Sequence, residues 1–240
     1  MKLLAISCFL VLLSSTISAQ TFYQSLQGEL MTESDYTHYR DSMLIAMKHG
    51  EKINNQSILV NFDINELERR GDSTILHFVP NTYYGFTKKQ VSKSPLIHLG
   101  EPFPDFELED LEGNVLRKSD LKGKKVFINF WFVTCYPCIA EIPDVQQIRD
   151  KYERDDVVFL AMTFEKAKKV EEFLEKKEFN LRHIPGAGKV IKGIDLSGFP
   201  QTIILDEEGN IQRIDNTLEG FFTEEVYAPL RASYERILGE

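Results

Sequence analysis

The chain has 240 residues, of which 42% are hydrophobic, and its formal net charge is −9 at pH 7. This composition is ordinary for a globular protein with a packed core. The acidic balance argues against nucleic acid or an anionic membrane surface as the binding partner, because both carry negative charge.

The first segment of the chain is typical of a secretory signal peptide. Lys2 precedes an apolar run over residues 3–13, and small and polar residues lead from there to Ala19. The apolar run is too short for a membrane span, which needs about 20 residues. We therefore expect residues 1–19 to direct export and to be cleaved near Ala19. An uncleaved N-terminal anchor is the alternative, and a lipoprotein is disfavoured because Cys8 lies inside the apolar run.

Residues 20–94 carry no recognised motif. A helical pattern over residues 33–52 is followed by strand-like runs at 57–62 and 73–79, and Gly71-Asp72 predicts a turn between them. We expect a small α+β extension of unknown role. The predicted organisation is a signal peptide at 1–19, this N-terminal region at 20–94, and a larger domain at 95–240.

The rest of the chain predicts alternating strands and helices. A hairpin is expected over residues 103–116, and the apolar run at 126–132 indicates a central strand buried on both faces. Further elements are predicted in chain order: a helix after Cys138, a strand at 157–163, a helix at 166–178, strands at 201–206 and 211–214, and a last helix that Pro229 either kinks or starts later. Together they predict an α/β fold with a mixed sheet covered on both faces.

Cys135 and Cys138 stand at the junction between the central strand and the next helix. Cysteines of exported proteins usually form structural bridges. A bridge across two intervening residues, however, removes little entropy from the unfolded chain. Free N–H groups and the helix dipole at a helix N-terminus also favour a thiolate. The pair therefore predicts a reversible redox centre rather than a structural disulfide.

These residues resemble a known family. The segments Asn129-Phe130-Trp131, Thr134-Cys135-Tyr136-Pro137-Cys138 and Gly198-Phe199-Pro200-Gln201-Thr202 are similar to the thioredoxin superfamily. Within it they resemble the secreted, TlpA/ResA-like thiol–disulfide oxidoreductases, which are related to AhpC/TSA peroxiredoxins. The resemblance implies a thioredoxin-like fold for residues 99–238, with a central mixed sheet flanked by helices, and leaves the small N-terminal α+β extension uncovered.

The resemblance also implies roles for individual residues. Cys135, at the exposed start of the helix, would be the attacking thiolate and Cys138 the resolving thiol, and the two would close to a redox disulfide after each cycle. Pro200 matches the family's cis-proline. Tyr136, Pro137, Phe199 and Pro200 would bind substrate, with Phe199 offering backbone groups to an extended chain.

Three further positions carry expectations. Glu141 resembles a glutamate of this group and is expected to assist proton transfer for the inner thiol, the alternative being a side chain that merely decorates the helix. Asn129 replaces the buried aspartate of cytoplasmic thioredoxins and cannot take a proton. Thr134 replaces the usual tryptophan, which predicts a less aromatic surface around Cys135. Trp131 is expected to pack in the core.

The implied activity is a protein-disulfide reductase that acts on disulfide-containing exported proteins, apocytochrome c thiols among them. The expected location is the periplasm, which is held oxidising, so a membrane electron donor is needed. No cofactor and no nucleic acid are expected. The Tyr-Pro pair between the cysteines leaves the direction open between reductase and oxidase.

Two other functions stay open at this point. A peroxiredoxin-like peroxidase normally has a threonine three residues before its cysteine, where this chain has Phe132. A non-enzymatic binding module would use residues 20–94 and keep the redox domain as an anchor. No metal is expected, because a zinc site needs about four ligands and the cysteine pair supplies two. His183 is the only candidate copper ligand in the region of resemblance.

Overall fold

Nine strands form one sheet in the computed structural model of this chain. The structure describes residues 20–25, 28–54, 58–84, 99–196, 198–216, 218, 221–223 and 228–239. The predicted signal peptide, Cys8 and the predicted division at residues 94–95 lie outside the described residues. None of the described helices is long and apolar enough to cross a membrane.

The strands and helices alternate as the sequence predicts. The strands are β1 Thr21–Gln24, β2 Leu30–Thr32, β3 Ile58–Arg70, β4 Ser73–Tyr84, β5 Glu107–Glu109, β6 Val115–Arg117, β7 Lys125–Phe130, β8 Val157–Met162, β9 Arg182–Ile184, β10 Gln201–Leu205 and β11 Ile211–Asp215. The helices are α1 Glu33–Asn54, α2 Tyr136–Tyr152, α3 Ala167–Leu174, α4 Gly188–Gly193 and α5 Ala228–Leu238, and a 3₁₀ turn covers Lys118–Leu121.

The large sheet is mixed. Its strand order is β2-β1-β4-β3-β11-β10-β7-β8-β9, and β5 and β6 form a separate hairpin. The pairs β7–β8, β8–β9 and β1–β4 are parallel, and the other neighbours are antiparallel. Helices cover both faces of its central part. The predicted thioredoxin-like fold, with a mixed sheet and a small N-terminal α+β extension, is confirmed.

The central strand β7 supplies both halves of the core. Val126, Ile128 and Phe130 pack with α4 and the β5–β6 hairpin, whereas Phe127 packs with α2, α3 and α5 on the opposite face. Successive side chains of a strand point to opposite faces, so a continuous apolar run is what a strand covered on both sides requires. Asn129 is the polar exception, and it lies on the α2 face.

The strand directions place the functional candidates at one edge of the sheet. The parallel strands β7 and β8 end at this edge, and α2 begins there with the two cysteines. The antiparallel strand β10 begins at the same edge, with Gln201 opposite Phe130. Residues distant in sequence therefore meet around Cys135.

The N-terminal region extends the same sheet. Strand β3 pairs with β11, with Glu66 opposite Arg213. Strands β3 and β4 are much longer than the predicted runs at 57–62 and 73–79. The sequence pattern misses the part of β3 after Phe62 because this part is charged. Glu66 and Glu68 are buried there, and ion pairs with Arg213 and Arg236 compensate their charges.

Some short elements gave no recognisable sequence pattern. Strand β9 has three residues, α4 has six, and β1 and β2 have four and three. Such elements are too short to display a period, and glycines at both ends of α4 weaken its helical signal. Tertiary pairing with β8 and β4 stabilises β9 and β1.

Candidate active site

Cys135 and Cys138 lie where β7 passes into α2. Cys135 is the N-cap residue, with φ −79° and ψ 101°, and Pro137 stands in the first helical turn, where its missing N–H removes no helical bond. The two sulfur atoms form a disulfide with an S–S distance of 2.04 Å, and the Cα atoms are 5.2 Å apart. The predicted pair is therefore joined in one bridge at a helix N-terminus.

The sulfur of Cys135 faces the start of its own helix. The Cys138 backbone N–H donates to Cys135 Sγ at 3.2 Å. The Ile139 N–H donates to the Cys135 carbonyl at 3.0 Å. A side chain in this position satisfies an otherwise unpaired helix donor. The same donor and the helix dipole favour negative charge on this sulfur once the bridge is reduced.

The start of α2 is exposed, but in the disulfide form the two sulfur atoms are not. Cys135 is 4% exposed and Cys138 is 2% exposed. Both are buried because Cys135 Sγ folds back onto the helix and bonds to Cys138, so neither sulfur projects into water. Tyr136, by contrast, is 82% exposed. A partner molecule meets Tyr136 and Pro137 before it reaches a sulfur atom.

The loop before β10 carries the predicted cis-proline. The Phe199–Pro200 peptide bond is cis. Pro200 is buried and Phe199 is half-buried. Within the part of the chain that the structure describes, the backbone N–H and carbonyl of Phe199 have no hydrogen-bond partner. These two groups are therefore available to an extended segment laid along the loop.

Glu141 is a buried carboxylate, not a surface decoration of α2. Its exposed fraction is 1%. Asn129 Nδ2 donates to Oε1 at 2.8 Å, and the Leu218 backbone N–H donates to Oε2 at 2.7 Å. Buried charges persist in folded proteins when hydrogen bonds of this kind compensate their desolvation. Glu141 is therefore fixed inside the fold, and its part in proton transfer stays a prediction.

Asn129 links Glu141 to the cis-proline loop. Its Nδ2 atom also donates to Thr202 Oγ1 at 3.2 Å, and Thr202 lies two residues after Pro200. The amide therefore connects α2, β7 and β10 beneath the cysteines. The sequence identifies Asn129 as a departure from cytoplasmic thioredoxins, but Thr202 and the Leu218 N–H are reached only through the fold.

Three aromatic rings meet beside the turn that carries Cys135, whose backbone N–H donates to the Phe132 carbonyl at 3.0 Å. The ring centroids of Phe132 and Phe164 are 5.6 Å apart, those of Phe132 and Phe199 5.3 Å, and those of Phe164 and Phe199 5.9 Å. Phe164 is 46% exposed. We call these three rings the aromatic surface. Phe164 reaches this surface from the end of β8, which the sequence does not predict, whereas the effect of Thr134 in place of tryptophan stays a prediction.

Glu165 holds the loop that carries Phe164. Its Oε2 atom accepts from the Val133 backbone N–H at 2.9 Å, and its carboxylate pairs with Lys169. Its own carbonyl accepts from the Gly186 N–H at 2.7 Å. The loop is thus tied to the segment before Cys135 and to the segment before α4. Sequence reasoning missed this residue, although its place after a strand parallel to β7 is a usable signal.

Trp131 and His183 pack together in the core. Trp131 is fully buried, as expected, and its ring centroid lies 5.6 Å from that of His183. His183 Nε2 lies 2.6 Å from the Phe179 carbonyl oxygen. Burial lowers the pKa of His183 and is only partly opposed by this carbonyl and by Glu112. His183 is a neutral core histidine, and the structure does not bring it together with the cysteines as a ligand set.

A group able to hold a metal lies away from the cysteines. Within the described residues, Glu66, Glu68 and His77 alone place their ligand atoms within 4.8 Å of one another. Arg213 and Arg236 pair with Glu66, and Arg236 also contacts Glu68. Because cations already neutralise both carboxylates, this group is an ion-pair cluster between the N-terminal region and α5.

Arg213 is the centre of that cluster. Its guanidinium donates to Asp215 at 2.7 and 2.8 Å and also pairs with Glu66. Burial opposes its charge, yet Asp215 and Glu66 together raise the pKa of Arg213. Burial likewise opposes ionisation of Glu66, but Arg213, His77 and Arg236 outweigh it and lower the pKa of Glu66.

Comparison with known proteins matches this arrangement to a family. The sequence profile of the AhpC/TSA family matches residues 99–214. The "Thioredoxin-like protein YneN" of Bacillus subtilis (strain 168) is 33% identical over 138 residues, which cover 56% of this chain and 78% of YneN. The "Thiol-disulfide oxidoreductase ResA" of Bacillus cereus (strain ATCC 10987 / NRS 248) is 32% identical over 133 residues, which cover 53% of this chain and 76% of ResA.

Solved structures support the fold. A candidate thiol:disulfide interchange protein DsbE from Chlorobium tepidum has a TM-score of 0.51 and 22% identity, covering 57% of this chain and 99% of that chain. A thiol:disulfide interchange protein from Bacteroides sp. has a TM-score of 0.50 and 21% identity, covering 60% and 92% respectively. At this identity the likeness concerns the fold alone.

Proposed function

Because this chain belongs to the TlpA/ResA-like group of the thioredoxin superfamily, we propose that it is an exported thiol–disulfide oxidoreductase that reduces disulfides of envelope proteins through Cys135 and Cys138. Its relatives support the class of reaction. The observation that carries the proposal is the Cys135–Cys138 bridge at the N-terminus of α2, beside the cis-proline loop and above a buried carboxylate. Export rests on the signal-like sequence of residues 1–19.

The proposed cycle begins with the reduced pair. The Cys135 thiolate attacks a substrate disulfide, which forms a mixed disulfide and releases one substrate thiolate. The Cys138 thiolate then attacks Cys135 Sγ, which closes the Cys135–Cys138 bridge and releases the second substrate thiolate. The substrate disulfide gains two electrons and the enzyme dithiol loses two. A membrane dithiol donor would return the enzyme to its reduced form.

The residues around the cysteines have distinct parts in this proposal. The Cys138 N–H, which contacts Cys135 Sγ at 3.2 Å, stabilises the outer thiolate. The unpaired backbone groups of Phe199 hold the substrate segment, and Tyr136 and Pro137 form the surface it first meets. Glu141 accepts the proton of the inner thiol before that thiol attacks.

The experiment that tests the cycle uses two matched variants. Cys138→Ala leaves the attacking sulfur but removes the resolving one, so reduced Cys138→Ala should accumulate mixed disulfides with insulin whose disulfides are intact, or with the oxidised proteins of an envelope extract. Cys135→Ser should form none and should lose insulin reduction entirely. Retention of insulin reduction by Cys135→Ser would remove Cys135 from its assigned role.

Redox titration against glutathione decides whether the protein acts as a reductase or as an oxidase. Each tenfold change in the equilibrium constant corresponds to about 30 mV for a two-electron couple. A potential below that of the glutathione pool agrees with a reductase, and one well above it would make the protein an oxidase.

A thiol peroxidase is the second candidate, because the matching family profile is that of AhpC/TSA proteins. Phe132 stands where such enzymes have the threonine that assists the reactive cysteine, which is the argument against it. Fast consumption of hydrogen peroxide with slow disulfide exchange would favour the peroxidase.

A further inference from the structure

The aromatic surface lies on a fixed support next to the cysteines. Phe132 precedes Cys135 by one short turn, Phe199 precedes the cis-proline, and Phe164 follows β8. The three rings contact one another at 5.3–5.9 Å between centroids. Glu165 anchors the Phe164 loop to the Val133 N–H. An apolar ligand group therefore finds a preformed site, which lowers the entropy lost on binding.

Lysines border this surface on the side of α3 and α4. Residues 163–175 and 186–195, which include both helices, contain five lysines and five acidic residues. Glu165 is buried and paired with Lys169, so it does not offset the remaining lysines at the surface. This flank has no excess of positive charge, and what distinguishes it is the lysines that have no ion-pair partner among the described residues.

Three of these lysines are exposed and form no ion pair with any residue that the structure describes: Lys166, Lys189 and Lys192. Lys166 is the N-cap of α3, two residues after Phe164. Gly188, the neighbour of Lys189, lies against Phe164, since a Cβ built on it would be 3.6 Å from Phe164 Cβ. Lys189 and Lys192 are three residues apart on α4 and share one side of that helix. Positive charge thus lies immediately beyond the aromatic surface.

We propose that the preferred partner is an extended, disulfide-bearing segment with an aromatic residue beside its reactive cysteine and acidic residues beyond it. The cysteine is placed at Cys135, the aromatic side chain on Phe132, Phe164 and Phe199, and the acidic residues beside Lys166, Lys189 and Lys192. This inference rests on the proposed function and names the chemistry of its substrate. Complementary charge raises the association rate and discriminates against partners of the wrong sign.

The test compares disulfide-linked homodimers of short peptides as substrates of the full, reduced protein. Three peptides are needed: Phe-Cys with an acidic flank, Phe-Cys with a basic flank, and Ala-Cys with an acidic flank. We expect the acidic Phe peptide to react about tenfold faster than the basic one at low salt, by charge complementarity. The preference should shrink as the ionic strength rises. We expect Phe in place of Ala to accelerate the reaction about fivefold, from aromatic packing.

Matched variants assign the preference to this surface. Lys166→Glu/Lys189→Glu should abolish the preference for the acidic peptide. Lys48→Glu/Lys122→Glu changes the net charge equally at exposed positions away from the cysteines and should keep it. Phe164→Ala should reduce the advantage of Phe over Ala, and Phe164→Leu repeats the test with a smaller loss of packing.

Hydroxyethyl disulfide is small and uncharged, so it tests the proposed function separately from the inference about the substrate. If the wild type reduces hydroxyethyl disulfide and all three peptides at equal rates, the substrate inference is overturned and the proposed function stands. If the wild type reduces none of the four, the proposed function fails and the inference fails with it. If both lysine pairs alter the preference equally, the effect is one of overall charge and the assignment to Lys166 and Lys189 is wrong.

Discussion

At the scale of single residues, the site depends on a few buried polar contacts behind an apolar surface. Glu141 accepts hydrogen bonds from Asn129 Nδ2 at 2.8 Å and from the Leu218 N–H at 2.7 Å. Asn129 in turn contacts Thr202, two residues from the cis-proline. The carboxylate is therefore fixed in place rather than mobile, as a group that transfers a proton to or from a neighbouring thiol needs to be.

Glu141→Gln tests this role directly. Its neutral amide cannot take up the proton of the inner thiol, so we expect the release of the mixed disulfide to slow by about a hundredfold. One of the two donors also loses its partner, which should lower the free energy of unfolding by about 1–3 kcal/mol. Stopped-flow release rates and thiol pKa values measure the first effect, and denaturant unfolding measures the second.

The control for Glu141→Gln is Glu153→Gln. Glu153 follows the end of α2, is exposed and pairs with Arg149 at 2.7 Å, so its loss should leave the release rate unchanged. Unchanged thiol pKa values and release rates in Glu141→Gln would restrict Glu141 to a structural role.

At the scale of elements, the start of α2 is the part of the fold that carries the chemistry. Cys135 is both the residue that caps the helix and the predicted nucleophile, so the dipole and the Cys138 N–H act on the reacting atom itself. The strand before the helix and the cis-proline loop fix its entry, because Gln201 pairs with Phe130. A position on regular elements holds such a group more firmly than a long loop does.

The capping contact predicts a difference between two substitutions. In a Cys138→Ala background, which has no bridge, Cys135→Ser retains an oxygen that accepts from the residue 138 N–H, whereas Cys135→Ala does not. We expect Cys135→Ser to be more stable than Cys135→Ala by about 1 kcal/mol. Urea unfolding of the two double variants measures this. Equal midpoints would mean that the contact contributes nothing to helix stability.

At the scale of the whole molecule, buried charges join the N-terminal region to the thioredoxin-like part. Glu66 on β3 contacts Arg213 on β11 and Ser233 and Arg236 on α5. Tyr234, the neighbour of Ser233, donates to Asp215 at 3.0 Å, and burial together with Asp215 raises its pKa well above the ordinary value. The two regions are thus connected by side chains as well as by the β3–β11 pairing.

Removal of one charged residue from this buried cluster should lower the free energy of unfolding. Glu66→Gln leaves the buried Arg213 without one of its two carboxylates, and we expect a loss of about 3 kcal/mol in the free energy of unfolding. The triple variant Glu66→Gln/Arg213→Met/Asp215→Asn should recover part of it, because the buried cation and both of its carboxylates are then absent and Arg236 keeps Glu68 as a partner. Glu107→Gln removes an exposed pair with Arg117 and should change stability by less than about 1 kcal/mol.

Comparison of Glu66→Gln with the wild type also shows how the stability of the fold depends on pH. The pKa of Glu66 is lowered in the folded state, so its contribution is fully present above the unfolded pKa and is lost as the pH falls through the folded value. We expect wild type to lose stability on acidification below about pH 4.5, the ordinary glutamate value, and Glu66→Gln to lose less. Equal acid sensitivity of the two proteins would contradict this account.

The sequence by itself determined the parts of this protein that depend on local pattern. The apolar run before Cys135 predicted β7, the helical spacing behind Cys138 predicted α2, and the resemblance predicted the cis-proline at Pro200. Periodicity and spacing suffice there because one covalent neighbourhood contains the whole signal.

Tertiary structure decided the rest. The sequence does not place Phe164 against Phe132, Leu218 against Glu141, or Glu66 against Arg213, because each pair meets only when strands β3, β7, β8 and β11 take their places in one sheet. The length of β3 follows from the same cause. Contacts between residues distant in the chain set these features, and no local period encodes them.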